Sequence, residues 1–169
     1  MQEGIVSAGA IFYYLAETEH RETKHIVNIS RIEEEKYVWL DKFTIRNLEL
    51  IYAQYQEGVP LIQILDHTET PMGARMLKKW MVLPLKEISP IQERLNIVEA
   101  MVNNKELLEA LLNNLKQIGD LERLISKVAV RRVNPREMLQ LKRALEHIKP
   151  IKELLDQSGL PSLKKLSDQ

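Results

Sequence analysis

Helix start signals in front of leucine-rich stripes constrain the fold of this chain more than any other feature. Thr70-Pro71 and Asn134-Pro135 each place a capping side chain before a proline at the first helical position, where the missing N–H costs nothing. Apolar residues then recur at spacings of three and four, as in the run Met138, Leu141, Leu145, Ile148, Ile151 and Leu155. The sequence from residue 61 onward therefore predicts a mainly α fold of packed helices.

Local signals also predict where these helices begin and end. The first is expected to end near Leu83, and Gly119 is expected to end a later one. Ser89 and Gln92 have the spacing of a capping box. Pro150 predicts a kink or a break in the last long helix, because proline cannot donate a backbone hydrogen bond. The final eight residues have too few apolar side chains to predict order.

Two residues of the first of these helices predict how it packs. Trp80 is predicted to lie in the core with Leu77 and with either Met76 or Met81. Gly73 costs roughly 1 kcal/mol relative to alanine inside a helix, so it predicts a close approach by another backbone.

The first forty residues differ in character from the rest of the chain. Residues 5–19 predict a helix from their apolar stripe. Residues 26–40 predict extended segments on either side of an exposed acidic turn at 33–36. The expected architecture is therefore a short α/β remnant followed by a helical region, with a junction at 26–40.

The charge balance and the residue content exclude several classes of protein. Lys+Arg and Asp+Glu are 24 each, whereas a domain that binds nucleic acid by itself usually carries a basic excess. The absence of cysteine excludes disulfides and thiolate metal sites, and is typical of a reducing cytoplasm. The longest apolar run, residues 8–16, is far shorter than the roughly 20 residues that span a bilayer, so no membrane association is expected.

Sequence motifs for catalysis are missing. A P-loop requires Gly-x-x-x-x-Gly-Lys-Ser/Thr, and the nearest match, Gly4 with Gly9, is not followed by lysine. No Gly-x-Ser-x-Gly motif is present to support a serine nucleophile. His20 and His25 are five residues apart, so they do not converge on one helix face, and no third metal ligand accompanies them. No catalytic, cofactor-binding or metal-binding residue is predicted.

One basic cluster has two interpretations. The basic strip, defined as Arg131, Arg132, Arg136, Lys142 and Arg143, surrounds the helix start at 134–137. The functional interpretation is a set of contacts to nucleic-acid phosphates. The alternative is that arginines at a helix C-terminus offset the helix macrodipole and the others are solvated. Zero net charge and the lack of interleaved aromatic residues favour the alternative.

Residues 41–85 and 119–123 carry an ordered series of motifs. The series comprises Asp41, Thr44, Arg46-Asn47-Leu48-Glu49, Leu65-Asp66, Thr70-Pro71-Met72-Gly73, Arg75-Met76-Leu77, Trp80, Pro84, Leu85 and Gly119-Asp120-Leu121-Glu122-Arg123. Its order and spacing closely resemble the start of the core (lever) domain of the MutS family of DNA mismatch-recognition ATPases. Residues 7–16 resemble the end of the preceding connector domain. Lys42-Phe43 and Ile45 depart mildly from many relatives, which affects local packing at most.

The resemblance implies a division into three segments. Residues 1–25 correspond to the C-terminal end of the connector domain, 26–40 to the junction, and 41–169 to an incomplete first part of the core domain. The implied fold is a helical core/lever-type bundle with a short α/β connector remnant at the N-terminus. The family's mismatch-reading, clamp and ATPase motifs, the last using ATP and magnesium, are absent. No family catalytic or base-reading residue is therefore carried over.

The resemblance also implies a function and partners. The leading hypothesis is a fragment that acts as a non-catalytic structural coupler between the DNA-binding and ATPase regions. Implied partners are mismatched duplex DNA through the parent protein, a MutS self-dimer and a MutL-type partner, in the cytoplasm. Two alternatives stay open: a helical protein-interaction module, and a phosphate-contacting DNA-binding domain that uses the basic strip. Without the later core helices, the apolar stripes are expected to be partly uncovered and to favour self-association.

Overall fold

The computed structural model describes residues 2–18, 23, 26, 28 and 34–168. The described helices are α1 (Gln2–Glu17), α2 (Lys42–Asn47), α3 (Leu61–Leu65), α4 (Pro71–Val82), α5 (Ile88–Asn103), α6 (Lys105–Ile118), α7 (Leu121–Ala129), α8 (Pro135–Gln157) and α9 (Pro161–Ser167), with a 3-10 turn at Glu34–Lys36. The prediction of a mainly α fold is confirmed. Among these residues no strand forms, and one isolated antiparallel bridge pairs Tyr37 with Leu85. Extended segments were predicted for 26–40. Most of 26–33 lies outside the described residues, and 34–40 contain the 3-10 turn and one residue of the single bridge but no strand.

Two side chains that were predicted to cap helices, those of Thr70 and Asn134, do so. Thr70 Oγ1 accepts the N–H of Gly73 at 3.0 Å, at the start of α4. Asn134 Oδ1 accepts the N–H of Glu137 at 2.9 Å, and the Glu137 carboxylate accepts the N–H of Asn134 at 3.1 Å. This reciprocal pair is a capping box, and it fixes the first turn of α8. Gly119 ends α6 at a φ of 66°, which glycine adopts without steric cost.

The capping box predicted at Ser89 is wrong. Helix α5 begins earlier, because Glu87 stands at the capping position, where its side chain makes no capping hydrogen bond. Gln92 Nε2 donates instead to Asn96 Oδ1 at 2.8 Å, one turn further along. Pro90 is tolerated because amides in the first turn of a helix have no acceptor within that helix.

Helix α8 passes through Pro150 without a break, so a break at this position is wrong. The helix contains 23 residues, and at a rise of 1.5 Å per residue it is roughly 34 Å long. It packs against α6, α7 and α9, and these neighbours hold the helix on both sides of the proline. Pro150 cannot donate a backbone hydrogen bond to the carbonyl of Glu146. The free energy gained by packing α8 against its neighbours therefore exceeds the cost of this missing bond.

The hydrophobic core lies where α5, α6, α8 and α9 meet. Leu107 and Leu111 of α6 and Leu163 of α9 are buried, and Leu163 has an exposed fraction of 0%. The partly buried side chains around them are Ile97, Ala100, Met101, Ile151, Leu154 and Leu155. The prediction that the last eight residues lack order is therefore wrong, because α9 supplies a central core side chain. Tertiary packing stabilises this short helix, which would be marginal alone.

Much apolar surface stays uncovered. The chain exposes 13695 Å² to solvent, whereas a compact chain of 19.7 kDa exposes roughly 8600 Å². Helix α1 presents exposed apolar side chains on all sides, among them Ile5, Val6 and Tyr13. An apolar face of α5 is also exposed and consists of Ile91, Leu95, Val98 and Val102. Among the described residues, no helix combines the length and the apolar character needed to cross a membrane.

Candidate nucleic-acid interface and ionic junction

The basic strip lies where α7 leads into α8. Arg131 and Arg132 follow the last turn of α7, whereas the other three members belong to α8. All five side chains are exposed. Arg136 and Arg143 are seven residues apart, so they share one face of α8, while Lys142 lies about 100° around the helix axis from Arg143. The strip therefore begins at the junction of α7 and α8, extends about two turns along α8, and spreads its charges over more than one face.

The loop between α7 and α8 explains the position of two of these arginines. Arg131 has a φ of 57°, and its N–H donates to the carbonyl of Val128 at 3.0 Å. The N–H of Arg132 donates to the carbonyl of Lys127 at 2.8 Å. Together these bonds form a Schellman motif, which satisfies carbonyls at a helix C-terminus and usually has glycine at the left-handed position. Cations there also offset the macrodipole of α7, which supports a structural role.

Two carboxylates close to the basic strip neutralise the charges of nearby lysines by forming ion pairs with them. Lys127 forms an ion pair with Glu137, and this hydrogen bond is the main reason that the pKa of Glu137 is lowered. Lys142 forms an i, i+4 ion pair with Glu146 at 3.5 Å. Within the described part of the chain, Arg136 and Arg143 form no ion pair, so their charges face solvent. Their role as phosphate contacts stays a prediction.

A second charged cluster joins two helices that are distant in sequence. The ionic junction is defined as Arg75 of α4, Asp120 at the start of α7, and Glu122 in its first turn. Arg75 Nη2 and Nη1 donate to the two Asp120 carboxylate oxygens at 2.7 and 3.0 Å. Arg75 Nε donates to Glu122 Oε2 at 2.9 Å. One guanidinium thus holds two carboxylates, in the bidentate geometry that makes arginine pairs specific.

Asp120 has a double role in this cluster. Its Oδ1 also accepts the N–H of Arg123 at 3.2 Å, so the same carboxylate caps α7 and binds Arg75. The hydrogen bonds from Arg75 are the main reason that the pKa of Asp120 is lowered. In return, the two carboxylates raise the pKa of Arg75. The junction therefore links the beginning of α7 to α4 through side-chain hydrogen bonds at the surface.

The sequence motifs contained these residues without indicating that they meet. Asp120 and Glu122 are 45 and 47 residues away from Arg75, so no helical periodicity connects them. Two other predictions about α4 need correction. Trp80 is 40% exposed and lies under the guanidinium of Arg94, 3.6 Å from the ring centre, rather than in the core. A Cβ on Gly73 would meet the side chains of Thr70 and Thr68 at 3.2 and 3.3 Å rather than another backbone.

Removal of the Arg75 side chain should produce a pH-dependent loss of stability. The Arg75→Ala variant is expected to unfold at a lower temperature than the wild type near neutral pH, because Asp120 loses its donor. The pKa of Asp120 is lowered below its ordinary 3.8 in the folded chain. The hydrogen bonds between Arg75 and the Asp120 carboxylate therefore stabilise the folded chain fully above pH 3.8. This stabilisation is lost as the pH falls through the lowered pKa of Asp120.

Thermal denaturation of both proteins between neutral and acid pH measures this effect. The difference in Tm should stay constant above the ordinary aspartate range and shrink below pH 3.8. Lys152→Ala, on the exposed side of α8, is the matched control and should show no such pH dependence. A difference that persists unchanged at acid pH would contradict a role for the Asp120 carboxylate.

Residues considered for metal and phosphate chemistry are also located by the structure. Gly4 and Gly9 lie inside α1, so these two glycines do not form the loop that cradles phosphate in a P-loop. His20 and His25 lie outside the described residues. In the part of the chain that the structure describes, no group of three or more His, Cys, Asp or Glu side chains could hold a metal ion.

The chain is similar to DNA repair proteins over its whole length. Residues 43–168 match the family described as MutS domain III. The DNA mismatch repair protein MutS of Cytophaga hutchinsonii is 68% identical over 169 residues, which cover 100% of this chain and 20% of that protein. The proteins of the same description from Parabacteroides distasonis and Bacteroides fragilis are each 52% identical, covering 98% and 100% of this chain and 19% and 20% of theirs. The chain thus spans about a fifth of the length of these curated relatives.

Proposed function

The chain belongs to the MutS family, and from that premise we propose that it is a structural coupler within a longer DNA mismatch repair protein. In this proposal residues 1–25 are the end of the connector domain, 26–40 are the junction, and 41–169 are the first part of the core (lever) domain. The segment itself performs no catalytic step. The DNA-binding region and the ATP- and magnesium-dependent region belong to other parts of the longer protein.

A continuous path of ion-paired and packed helices supports this proposal. The ionic junction joins α4 to the first turn of α7. The ion pair between Lys127 and Glu137 then joins the last turn of α7 to the first turn of α8. Helix α8 extends for 23 residues and packs along α6. Energetic coupling between distant sites needs rigid elements of this kind, which move together rather than deform.

The proposed partners follow from the same role. Mismatched duplex DNA would be bound by the longer protein, which would act in the cytoplasm as a self-dimer together with a MutL-type partner. The balanced charge of this segment, with 24 basic and 24 acidic residues, supports a role in which DNA is gripped elsewhere. The exposed apolar residues of α1 and α5 support burial against other protein surfaces.

A chimeric repair protein tests the coupler role. The segment is exchanged for the matching part of the Cytophaga hutchinsonii relative, to which it is 68% identical, and repair is measured as the spontaneous mutation frequency of a repair-deficient host. The unmodified chimera should restore a low frequency. Arg75→Ala in the chimera should raise the frequency at equal protein level, while Lys152→Ala should not. In vitro, the Arg75 variant should keep basal ATPase activity and lose its response to mismatched DNA.

Two outcomes would count against the coupler. Full repair by the Arg75→Ala chimera would show that the ionic junction carries no coupling. Loss of basal ATPase activity together with repair would point to a general folding defect of the chimera rather than to a loss of coupling.

Direct DNA contact is the second candidate function, and it is favoured by the charges of Arg136 and Arg143, which form no ion pair with any residue that the structure describes. We expect it to be weak. Titration of the chain into fluorescent homoduplex and single-mismatch DNA should show little binding at low and at moderate salt. Tight binding that weakens steeply with salt, and that Arg136→Glu abolishes, would instead assign phosphate contacts to the basic strip.

A further inference from the structure

A cleft beside the ionic junction combines an apolar wall with basic side chains. It has a volume of about 380 Å³ and opens between α4, the first turns of α5 and the extended segment at Tyr37. Met76, Trp80 and Leu83 form much of its wall. Met76 and Trp80 are 55% and 40% exposed, so both are available to a ligand. Methionine and tryptophan together offer an adaptable apolar surface for one inserted side chain.

The charges around this cleft are positive in sum. Arg75 belongs to the lining, but its donors are already held by Asp120 and Glu122. Arg94 lies over the Trp80 ring and forms no ion pair among the described residues. Lys79 is exposed and likewise has no carboxylate partner in the described part of the chain. The Glu122 carboxylate also lines the cleft, but it is held by Arg75. Lys79 and Arg94 therefore remain as two cations that form no ion pair among the described residues.

We infer that this cleft binds an acidic peptide segment with one large apolar or aromatic side chain at its centre. The central side chain would contact Met76 and Trp80, and the flanking carboxylates would face Lys79 and Arg94. The guanidinium of Arg94 is already ordered by its position over the Trp80 ring. It therefore loses less conformational entropy when it binds a carboxylate of the peptide.

Charge and composition favour such a peptide over nucleic acid. Binding to phosphates depends on several unneutralised cations, and the cleft has only two, beside the carboxylates of the ionic junction. The wall contains Met72 and Met76 beside its two aromatic residues, Tyr37 and Trp80. The guanidinium of Arg94 already lies over the Trp80 ring, where a base would stack. The inference depends on these side chains alone, so it does not rest on the proposed coupler role.

Fluorescence titration of the 169-residue chain tests the inference. The chain has two tryptophans, and Trp39→Phe leaves Trp80 as the reporter inside the cleft. The probe is a short synthetic peptide with one phenylalanine between runs of glutamate. We expect a saturable change in Trp80 fluorescence. Lys79→Glu should weaken the affinity roughly tenfold, because it replaces attraction by like-charge repulsion. Lys152→Glu makes the same charge change on α8 and should leave the affinity unchanged.

Control probes give the outcomes that would overturn the inference. A peptide with glutamine in place of every glutamate should bind much more weakly, and equal affinity would show that charge plays no part. Absence of saturable binding, or unchanged affinity in Lys79→Glu, would reject the site. Displacement of the peptide by a single-stranded oligonucleotide of higher affinity would reassign the cleft to nucleic acid. Lys79 is exposed, so an unchanged circular dichroism spectrum should confirm that the variant is folded.

Discussion

Leu163→Ala is expected to lower the free energy of unfolding by about 2–5 kcal/mol. Leu163 has an exposed fraction of 0% and packs with Leu107 and Leu111, so its removal deletes the centre of the core. The side chain comes from α9, whereas its neighbours come from α5, α6 and α8. Rigid helices close a cavity of this kind only in part, and the loss therefore exceeds the transfer free energy of the deleted methyl groups.

Urea unfolding followed by circular dichroism measures this loss. Leu166→Ala is the matched control, because Leu166 lies on the same helix but is 40% exposed, and it should cost much less. Equal losses for the two variants would mean that α9 contributes through helix propensity rather than through the core. An undisturbed Leu163→Ala protein would contradict the position of α9.

Ala144→Leu is expected to destabilise the chain by about 1–3 kcal/mol, through overpacking rather than through a cavity. Ala144 is 1% exposed on α8, and α8 makes its most extensive contact with α6. A hydrogen bond of 3.1 Å between His147 Nδ1 and Asn114 Oδ1 connects the same two helices. A larger side chain at position 144 must therefore push the helices apart or adopt a strained rotamer.

The matched control for this substitution is Gln140→Leu, one turn earlier on α8 at an exposed position. Both changes introduce leucine into the same helix, and their helix propensities differ by only a few tenths of a kcal/mol, so a larger difference between them reports packing. Urea unfolding should show a loss for Ala144→Leu and almost none for Gln140→Leu. Equal stabilities would show that α6 and α8 have room between them.

Features that depend on a few neighbouring residues could be predicted from the sequence. The Thr70 and Asn134 caps each bond an amide three residues later, so their residue types and positions suffice to locate them. Gly119 was predicted to end a helix for the same local reason, and it does so at a positive φ. The mainly α fold follows from the repeated use of these local rules along the chain.

Features that depend on distant residues could not be predicted. The apolar residues of α5 form two stripes, and periodicity does not show which stripe faces the core. The structure buries the side of Ile97 and Met101 and exposes the side of Leu95 and Val98. Order in α9 was missed for the same reason, since Leu163 packs with Leu107 and Leu111 of α6, which precede it by more than fifty residues.

The candidate site was predictable only in part. The basic strip was predicted as a cluster, but its Schellman motif was not. That motif depends on the left-handed backbone of Arg131, and the sequence has arginine where such a motif usually has glycine. Arg75 and Asp120 both stood in recognised motifs, yet their pairing across 45 residues is a tertiary contact. Periodicity relates residues that are only a few positions apart, so it cannot indicate an ion pair between distant residues. Only the structure could show this pair.

The large solvent-accessible surface area of the folded chain also affects how its free energy of unfolding changes with temperature. The heat capacity of unfolding scales with newly exposed apolar surface, and usual domains have roughly 12–15 cal/mol/K per residue. A chain that already exposes 13695 Å² when folded has less surface left to expose, so its value should lie below that range. Its stability curve is therefore flat, and heat or cold should change the folded population gradually rather than within a few degrees.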